Sequence, residues 1–167
     1  LACGARRRSR QPLLNSPIPL PLSPLVPLIS SGTAGPLGAL HLPRVWLKAS
    51  LHAAGKLHPD YNVGCGYDKM TTDNLGIPWE DFYSFISSEK PTYPQCEAWV
   101  KAYPGAKLTQ ADIYRHNQSI LGYCHDDATR KGILDAVGLP DDGGCNPGAV
   151  DLNNLDDWGI FHAQQLQ

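Results

Sequence analysis

Apolar residues in the middle of the chain recur at helical spacing. In the segment LPRVWLKASLHAAGKL, Leu42, Val45 and Ala49 fall at intervals of three and four residues, which is the spacing of one face of a helix. Pro43 suits the first turn of a helix, and Gly55 suits its end. The pattern therefore predicts a helix that begins near Leu42 and ends at Gly55.

Prolines, glycines and capping residues mark the ends of further helices. Pro78 and Pro94 each stand at the start of an amphipathic run, and Thr109 with Asp112 fits a capping box. Asp68 is expected to cap a helix that ends at Gly76. Asp126 or Asp127 is expected to cap a later helix, which Gly138 and Pro140 end. A short turn is expected around residues 151–158. Since no stretch alternates convincingly between apolar and polar residues, we predict an all-α, compact domain of five to seven short helices over residues 41–167.

Aromatic residues also recur at helical spacing in this domain. The set comprises Trp79, Phe82, Tyr83, Trp99 and Tyr103. Large rings at such intervals usually lie in a core, and we expect core packing rather than a ligand site.

Residues 1–40 have a different pattern, in which proline alternates with aliphatic side chains. The apolar run from Leu13 to Ile29 approaches the length of a membrane span, but each internal proline would cost a helix about 3 kcal/mol or more. We therefore predict no transmembrane helix, and expect an extended polyproline arm rising about 3.1 Å per residue. Such an apolar string gains free energy only when it lies along another surface.

Charge divides the chain into two unlike parts. Residues 1–59 hold half of the fourteen Lys and Arg residues and none of the sixteen acids, and the other half of the bases follow with all of the acids. Parts so different are expected to meet different neighbours, or each other. Because the helical domain is acidic, we predict no nucleic-acid surface on it.

The composition of residues 1–40 is typical of an organellar transit region: basic, rich in Ser and Pro, and free of acids. We expect an organelle of a eukaryote, the chloroplast in preference to the mitochondrion, with a bacterial cytoplasm as the alternative. Because the chain begins with Leu1 rather than Met, we expect a processed or truncated form.

Several segments resemble a domain-of-unknown-function family numbered 5069, whose members are mostly small bacterial proteins. These segments are LGALHLPRVWLKASLHAAGKL, YNVGCGYDK, LGIPWEDFYSFI and LDDW, and the matching motifs are Leu42-Pro43-Arg44, Cys65 with Asp68, and Leu155-Asp156-Asp157. The resemblance covers about residues 36–160. It implies the helical fold and no particular activity. The family's Pro-Leu inside the cysteine motif is Gly66-Tyr67 here.

Two groups of residues could carry chemistry, although neither forms a complete catalytic pattern. Cys65 and Asp68 share a glycine-flanked loop, and His116, Cys124 and His125 lie near one helix end. A nucleophilic thiol needs a base and a metal needs three or four converging ligands, and the spacing supplies neither. We expect no enzymatic activity, cofactor or metal site. The five cysteines lack a CxxC pair, and we expect mostly buried free thiols rather than disulfides.

The functional hypothesis is based on the proline-rich arm, residues 1–40. We expect a non-catalytic accessory subunit of a larger protein assembly, membrane-associated complexes included, whose arm runs along partner subunits. The predicted partner-binding residues are Arg6, Arg7, Arg8, Arg10, Pro19, Leu20, Pro21, Leu22, Pro24, Leu25, Pro27 and Leu28. One alternative is a small enzyme or ligand-binding domain that uses the Cys65 and Asp68 loop. Another is a proline-motif ligand for a signalling domain, bound through Pro21, Ser23, Pro24 and Pro27 together with the upstream arginines.

Overall fold

A computed structural model describes residues 24–166, and residues 1–23 and Gln167 lie outside the described part. The described residues form seven α-helices: α1 (Leu42–Ala53), α2 (Tyr67–Asn74), α3 (Trp79–Glu89), α4 (Tyr93–Ala102), α5 (Gln110–Leu121), α6 (Asp127–Ala136) and α7 (Ala149–Gln165). Within this range three isolated β-bridges occur and no strand. The predicted all-α fold class is confirmed.

The main core forms around α1, which contacts α2, α3 and α4. Its buried side chains come from α1, α3, α4, the loop between α2 and α3, and Ala39 in the segment before α1, and they include Val45, Phe82 and Val100. The other four rings of the aromatic set pack against this cluster, and Trp99 stacks on Phe85 with 4.5 Å between ring centroids. The prediction of core packing for the aromatic set is confirmed.

A second, smaller core joins α2, α5 and α7, with Tyr67, Ile120 and Ala149 at its centre. Helix α7 also packs on α6. This helix has 17 residues, so the predicted short turn at residues 151–158 is wrong. Its inward positions include the acid Asp157 as well as Leu152, and a face of mixed polarity does not produce the apolar periodicity that identifies a helix in a sequence.

Two of the predicted helix caps are confirmed and one is wrong. Thr109 and Asp112 form the capping box of α5, and Asp126 caps α6 by accepting a hydrogen bond from the Thr129 backbone. Asp68 does not cap α2, because the capping position is Gly66 and Asp68 lies one residue inside the helix. The Asp68 carboxylate instead binds groups of α1, as described below.

The described part of the predicted arm, residues 24–40, runs along the helical domain. Leu25 pairs with the chain after α1: its amide donates to Lys56 O at 2.6 Å and its carbonyl accepts from His58 N at 3.0 Å. Further along, His41 N donates to Thr33 O at 3.0 Å. The predicted boundary between an arm of residues 1–40 and a helical domain of residues 41–167 stays a prediction. Among residues 24–166, no helix has both the length and the apolar character needed to cross a membrane.

Candidate functional site

One face of α1 carries a row of basic side chains that point into the protein. His41 precedes the helix, and Arg44 and Lys48 follow at intervals of three and four residues, so all three share a face. His41 and Arg44 are buried. Buried charged and polar groups need partners, and each of the three binds an acid from the second part of the chain.

Arg44 joins the arm to α7. Its Nη1 and Nη2 atoms hold the Asp157 carboxylate at 2.6 and 2.9 Å, in the two-point geometry that arginine forms with carboxylates. Nη1 also donates to the backbone carbonyls of Pro27 at 2.6 Å and Ile29 at 2.8 Å. Tyr61 donates its hydroxyl to Asp157 at 2.8 Å. We call this arrangement of Arg44, Asp157, Tyr61 and the two carbonyls the Arg44 clasp.

The Arg44 clasp is almost closed to solvent, since Arg44 is 4% exposed and Asp157 is 2% exposed. Burial raises the pKa of the Tyr61 hydroxyl, and the negative charge of Asp157 raises it further. Burial and the same charge raise the pKa of Asp156. The Arg44–Asp157 ion pair is therefore enclosed by the protein and shielded from water.

Asp68 is the acceptor of a second buried cluster. Its carboxylate binds Lys48 Nζ at 2.8 and 3.0 Å, His41 Nε2 at 3.1 Å and the Gly64 amide at 3.2 Å. Burial alone would raise the pKa of Asp68, but the hydrogen bond from His41 and the charge of Lys48 outweigh it, and the pKa lies below its usual value. Burial lowers the pKa of His41, although the hydrogen bond to Asp68 and the charge of that carboxylate act in the opposite direction.

Two more side chains hold the arm further along. Both Glu97 carboxylate oxygens accept from the Leu37 amide at 3.1 Å. Asn117 accepts from the Leu40 amide at 2.9 Å and donates to Gly38 O at 2.8 Å. These contacts satisfy backbone groups of a segment that has no helix or sheet of its own. Residues 27–40 are thus held to the domain by polar side chains from α1, α4 and α5.

The residues of the predicted alternative site do not form a common site. Cys65 and Cys124 are exposed, while Asp68 is fully buried in its own cluster. His116 binds Leu40 O and Asn74, and His125 binds Asn153. No side-chain hydrogen bond joins any two members of this set within residues 24–166. In the same range no group of three or more His, Cys, Asp or Glu residues is placed to hold a metal ion.

The four described cysteines are free, but the expected burial holds only in part. Cys96 is buried, whereas Cys65 and Cys124 are exposed and Cys145 is intermediate. Burial, with a smaller contribution from the charge of Glu97, raises the pKa of the Cys96 thiol to about 12. Cys96 is therefore an unreactive core residue, and the prediction of burial is wrong for Cys65 and Cys124.

An open apolar groove runs beside α1, on a different face from Arg44. It consists of two clefts of about 550 and 620 Å³, and Trp46 lines both of them. The lining residues are Trp46, Ser50, Ala53, Ala54, Lys56, Ile86, Lys90 and Pro91 in one cleft, and Leu28, Ile29, Ser30, Thr33, Ala34, Gly35, Pro36, Pro43, Trp46 and Tyr93 in the other. We call this surface the Trp46 groove.

Four predicted partner-binding residues fall in the described range, at the point where the arm meets the domain. Leu25 and Leu28 are 41% and 50% exposed, while Pro27 is buried and gives its carbonyl to Arg44. Pro24 gives its carbonyl to Gln164 of α7. The other predicted partner-binding residues, from Arg6 to Leu22, lie outside the described residues.

Sequence reasoning missed Arg44, Lys48 and Asp157 as site residues, because charged side chains are expected at the surface. The signal that could have found them was the charge asymmetry, since Arg44 and Lys48 belong to the acid-free part of the chain and their partners to the acidic part. No family model, curated protein or solved structure matches the chain. The resemblance to the family numbered 5069 therefore stays a prediction.

Proposed function

We propose that this protein is a non-catalytic accessory subunit of a larger protein assembly, and that its proline-rich arm binds along partner subunits. The Arg44 clasp is the observation that carries the proposal. By fixing the carbonyls of Pro27 and Ile29, it gives the arm a rigid attachment to the domain. When the arm binds a partner subunit, this attachment then holds the helical domain at a fixed place beside that subunit, as an assembly tether requires.

The state of the charged groups supports a binding role over catalysis. His41, Arg44, Asp68 and Asp157 are all buried and hold one another or Lys48. A general acid or base must reach a substrate proton, and these groups face neighbouring side chains instead. They stabilise the attachment of the arm and the packing of α1 on α2, and the Arg44–Asp157 pair links α1 to α7.

The chemistry of the arm indicates the kind of partner. Residues 17–28 alternate proline with Ile, Leu and Val, which suits an apolar groove lined by aromatic side chains. Four arginines between residues 6 and 10 suit an acidic protein surface. We further propose a plastid-type organelle as the setting, since the first forty residues have the composition of a transit region.

Paired substitutions test this proposal in cells that produce the protein naturally. Leu25→Ser with Leu28→Ser removes two exposed apolar side chains at the base of the arm. We expect this variant to leave the assembly at lower salt and detergent than the natural chain. The matched control is Tyr114→Ser, which removes a side chain that is 65% exposed on α5, and we expect it to stay bound. Equal retention of both variants would contradict a binding role for the base of the arm.

A further inference from the structure

The chain enters the described structure at one end of the Trp46 groove. Leu25 is held by backbone hydrogen bonds to Lys56 and His58, and Lys56 also lines the groove. At the other end of the groove, Leu28 and Ile29 form part of its wall. The residues that precede Pro24 therefore begin close to Lys56, at one end of this open surface.

We propose that residues 17–22 of this chain, PIPLPL, occupy the Trp46 groove of the same molecule when no partner subunit is bound. This inference goes beyond the proposed function, because it concerns the isolated protein. Residues 24–29 pass from Lys56 toward the start of α1, so the preceding segment would run in the opposite direction along the neighbouring face of the helix.

The length of the segment matches the groove. The groove follows α1 from Pro43 to Ala54, a distance of about 17 Å at 1.5 Å per residue. Six residues in polyproline conformation span about 19 Å at 3.1 Å per residue. The segment PIPLPL is therefore long enough to cover the groove.

The groove also has the chemistry that polyproline segments recognise. Trp46 and Tyr93 meet edge to face, with 5.6 Å between ring centroids, and prolines 36, 43 and 91 complete the apolar lining. Aromatic-lined grooves are the usual receptors for polyproline ligands. The segment itself has no charged residue, so none would be buried there.

Hydrogen-bond donors at the groove are free to meet the carbonyls of such a segment. Lys56 and Lys90 lie at the groove and form no ion pair within residues 24–166. A polyproline segment has no internal hydrogen bonds and offers its carbonyls outward.

A weak intrinsic affinity is sufficient for this contact, because the segment is tethered to the groove. A short linker gives a local concentration of about 1 mM. An intrinsic Kd of about 1 mM then already fills half of the grooves. A partner with a better site for the same residues can displace the segment during assembly, and until then the apolar arm is kept from unspecific association.

Site-specific photo-cross-linking in the full chain tests the proposal. Residue 54, an exposed alanine at the edge of the groove, is replaced by p-benzoylphenylalanine, and the cross-linked peptides are identified by mass spectrometry. The control carries the same group in place of Tyr114 on α5. Irradiating an equal mixture of ¹⁵N-labelled and unlabelled chains separates contacts within one molecule from contacts between molecules.

We expect isotopically pure cross-links from position 54 to residues 17–22, and none of these from position 114. Replacing Ile18, Leu20 and Leu22 by serine should lower the yield about tenfold, as expected for the loss of the apolar contacts, whereas Leu13→Ser with Leu14→Ser should leave it unchanged. Isotopically mixed cross-links would overturn the proposal in favour of exchange between two copies. Absence of cross-links to residues 17–22 would overturn it as well. Both results are independent of whether the arm binds partner subunits.

Discussion

Removal of the Arg44 side chain should destabilise the domain and release the base of the arm. Arg44→Met keeps most of the apolar stem and deletes the guanidinium. Asp157 then retains the Tyr61 hydroxyl but loses its cation, and the carbonyls of Pro27 and Ile29 lose the Arg44 donor. The change therefore affects α7 and the arm together.

The size of the effect follows from burial. Removing one partner of a buried ion pair typically costs about 3–5 kcal/mol, because the remaining charge is left unpaired. Each carbonyl left without a donor would cost about 1–3 kcal/mol if water cannot reach it, so we expect a loss in the free energy of unfolding of at least about 3 kcal/mol. The double variant Arg44→Met with Asp157→Leu should be more stable than Arg44→Met alone, since no unpaired charge remains.

Urea denaturation followed by circular dichroism gives these free energies, and chymotrypsin digestion reports the release of residues 24–29. Arg115→Met is the matched control, because Arg115 is 75% exposed and pairs with Asp112 at 3.3 Å on the surface of α5. An exposed pair of this kind contributes about 0–1 kcal/mol. A loss of less than about 1 kcal/mol for Arg44→Met, with no faster cleavage at Leu25 or Leu28, would refute a structural role for the clasp.

Three further predictions concern other parts of the domain. An added methyl group at Gly35 would collide with side chains of α4, so we expect Gly35→Ala to lower the urea midpoint; Gly132→Ala, which meets open space in α6, should raise it slightly. Labelling with a maleimide, mapped by mass spectrometry, should modify Cys65 in the folded protein and Cys96 only on unfolding, and rapid labelling of Cys96 would contradict its burial. Because burial lowers the pKa of His116, the unfolded chain binds a proton more readily than the folded one, and stability should fall as the pH drops below about 6.5. His116→Gln should reduce that pH slope in urea titrations, and an unchanged slope would show that this ring does not contribute.

The helices were predictable where local chemistry determines their ends. Pro78 precedes α3 directly, Thr109 and Asp112 cap α5, and Asp126 caps α6. These signals act over three or four residues and need no knowledge of the rest of the fold. The periodic apolar positions of α1 and the aromatic residues of α3 and α4 likewise identify faces that are buried in the structure.

The buried polar clusters were not predictable by the same rules. Arg44 and Asp157 are 113 positions apart, and a sequence pattern contains no information on which distant charges meet. Asp157 also explains why the sequence did not predict α7. This acid lies on the inward face of the helix and interrupts its apolar stripe. The sequence predicts Asp68 as a helix cap, since aspartate before a helix usually has that role, but in the structure Lys48 and His41 hold it in the interior.

The size of the native particle that contains this protein tests its role as an assembly subunit most directly. The full chain and a chain lacking residues 1–23 are expressed with the same tag in the natural cell and compared by size-exclusion chromatography under mild detergent. We expect the full chain to run in a large complex and the shortened chain to be released from it. If both run as monomers near 18.2 kDa, the protein is not a subunit of a stable assembly and the arm is not its tether.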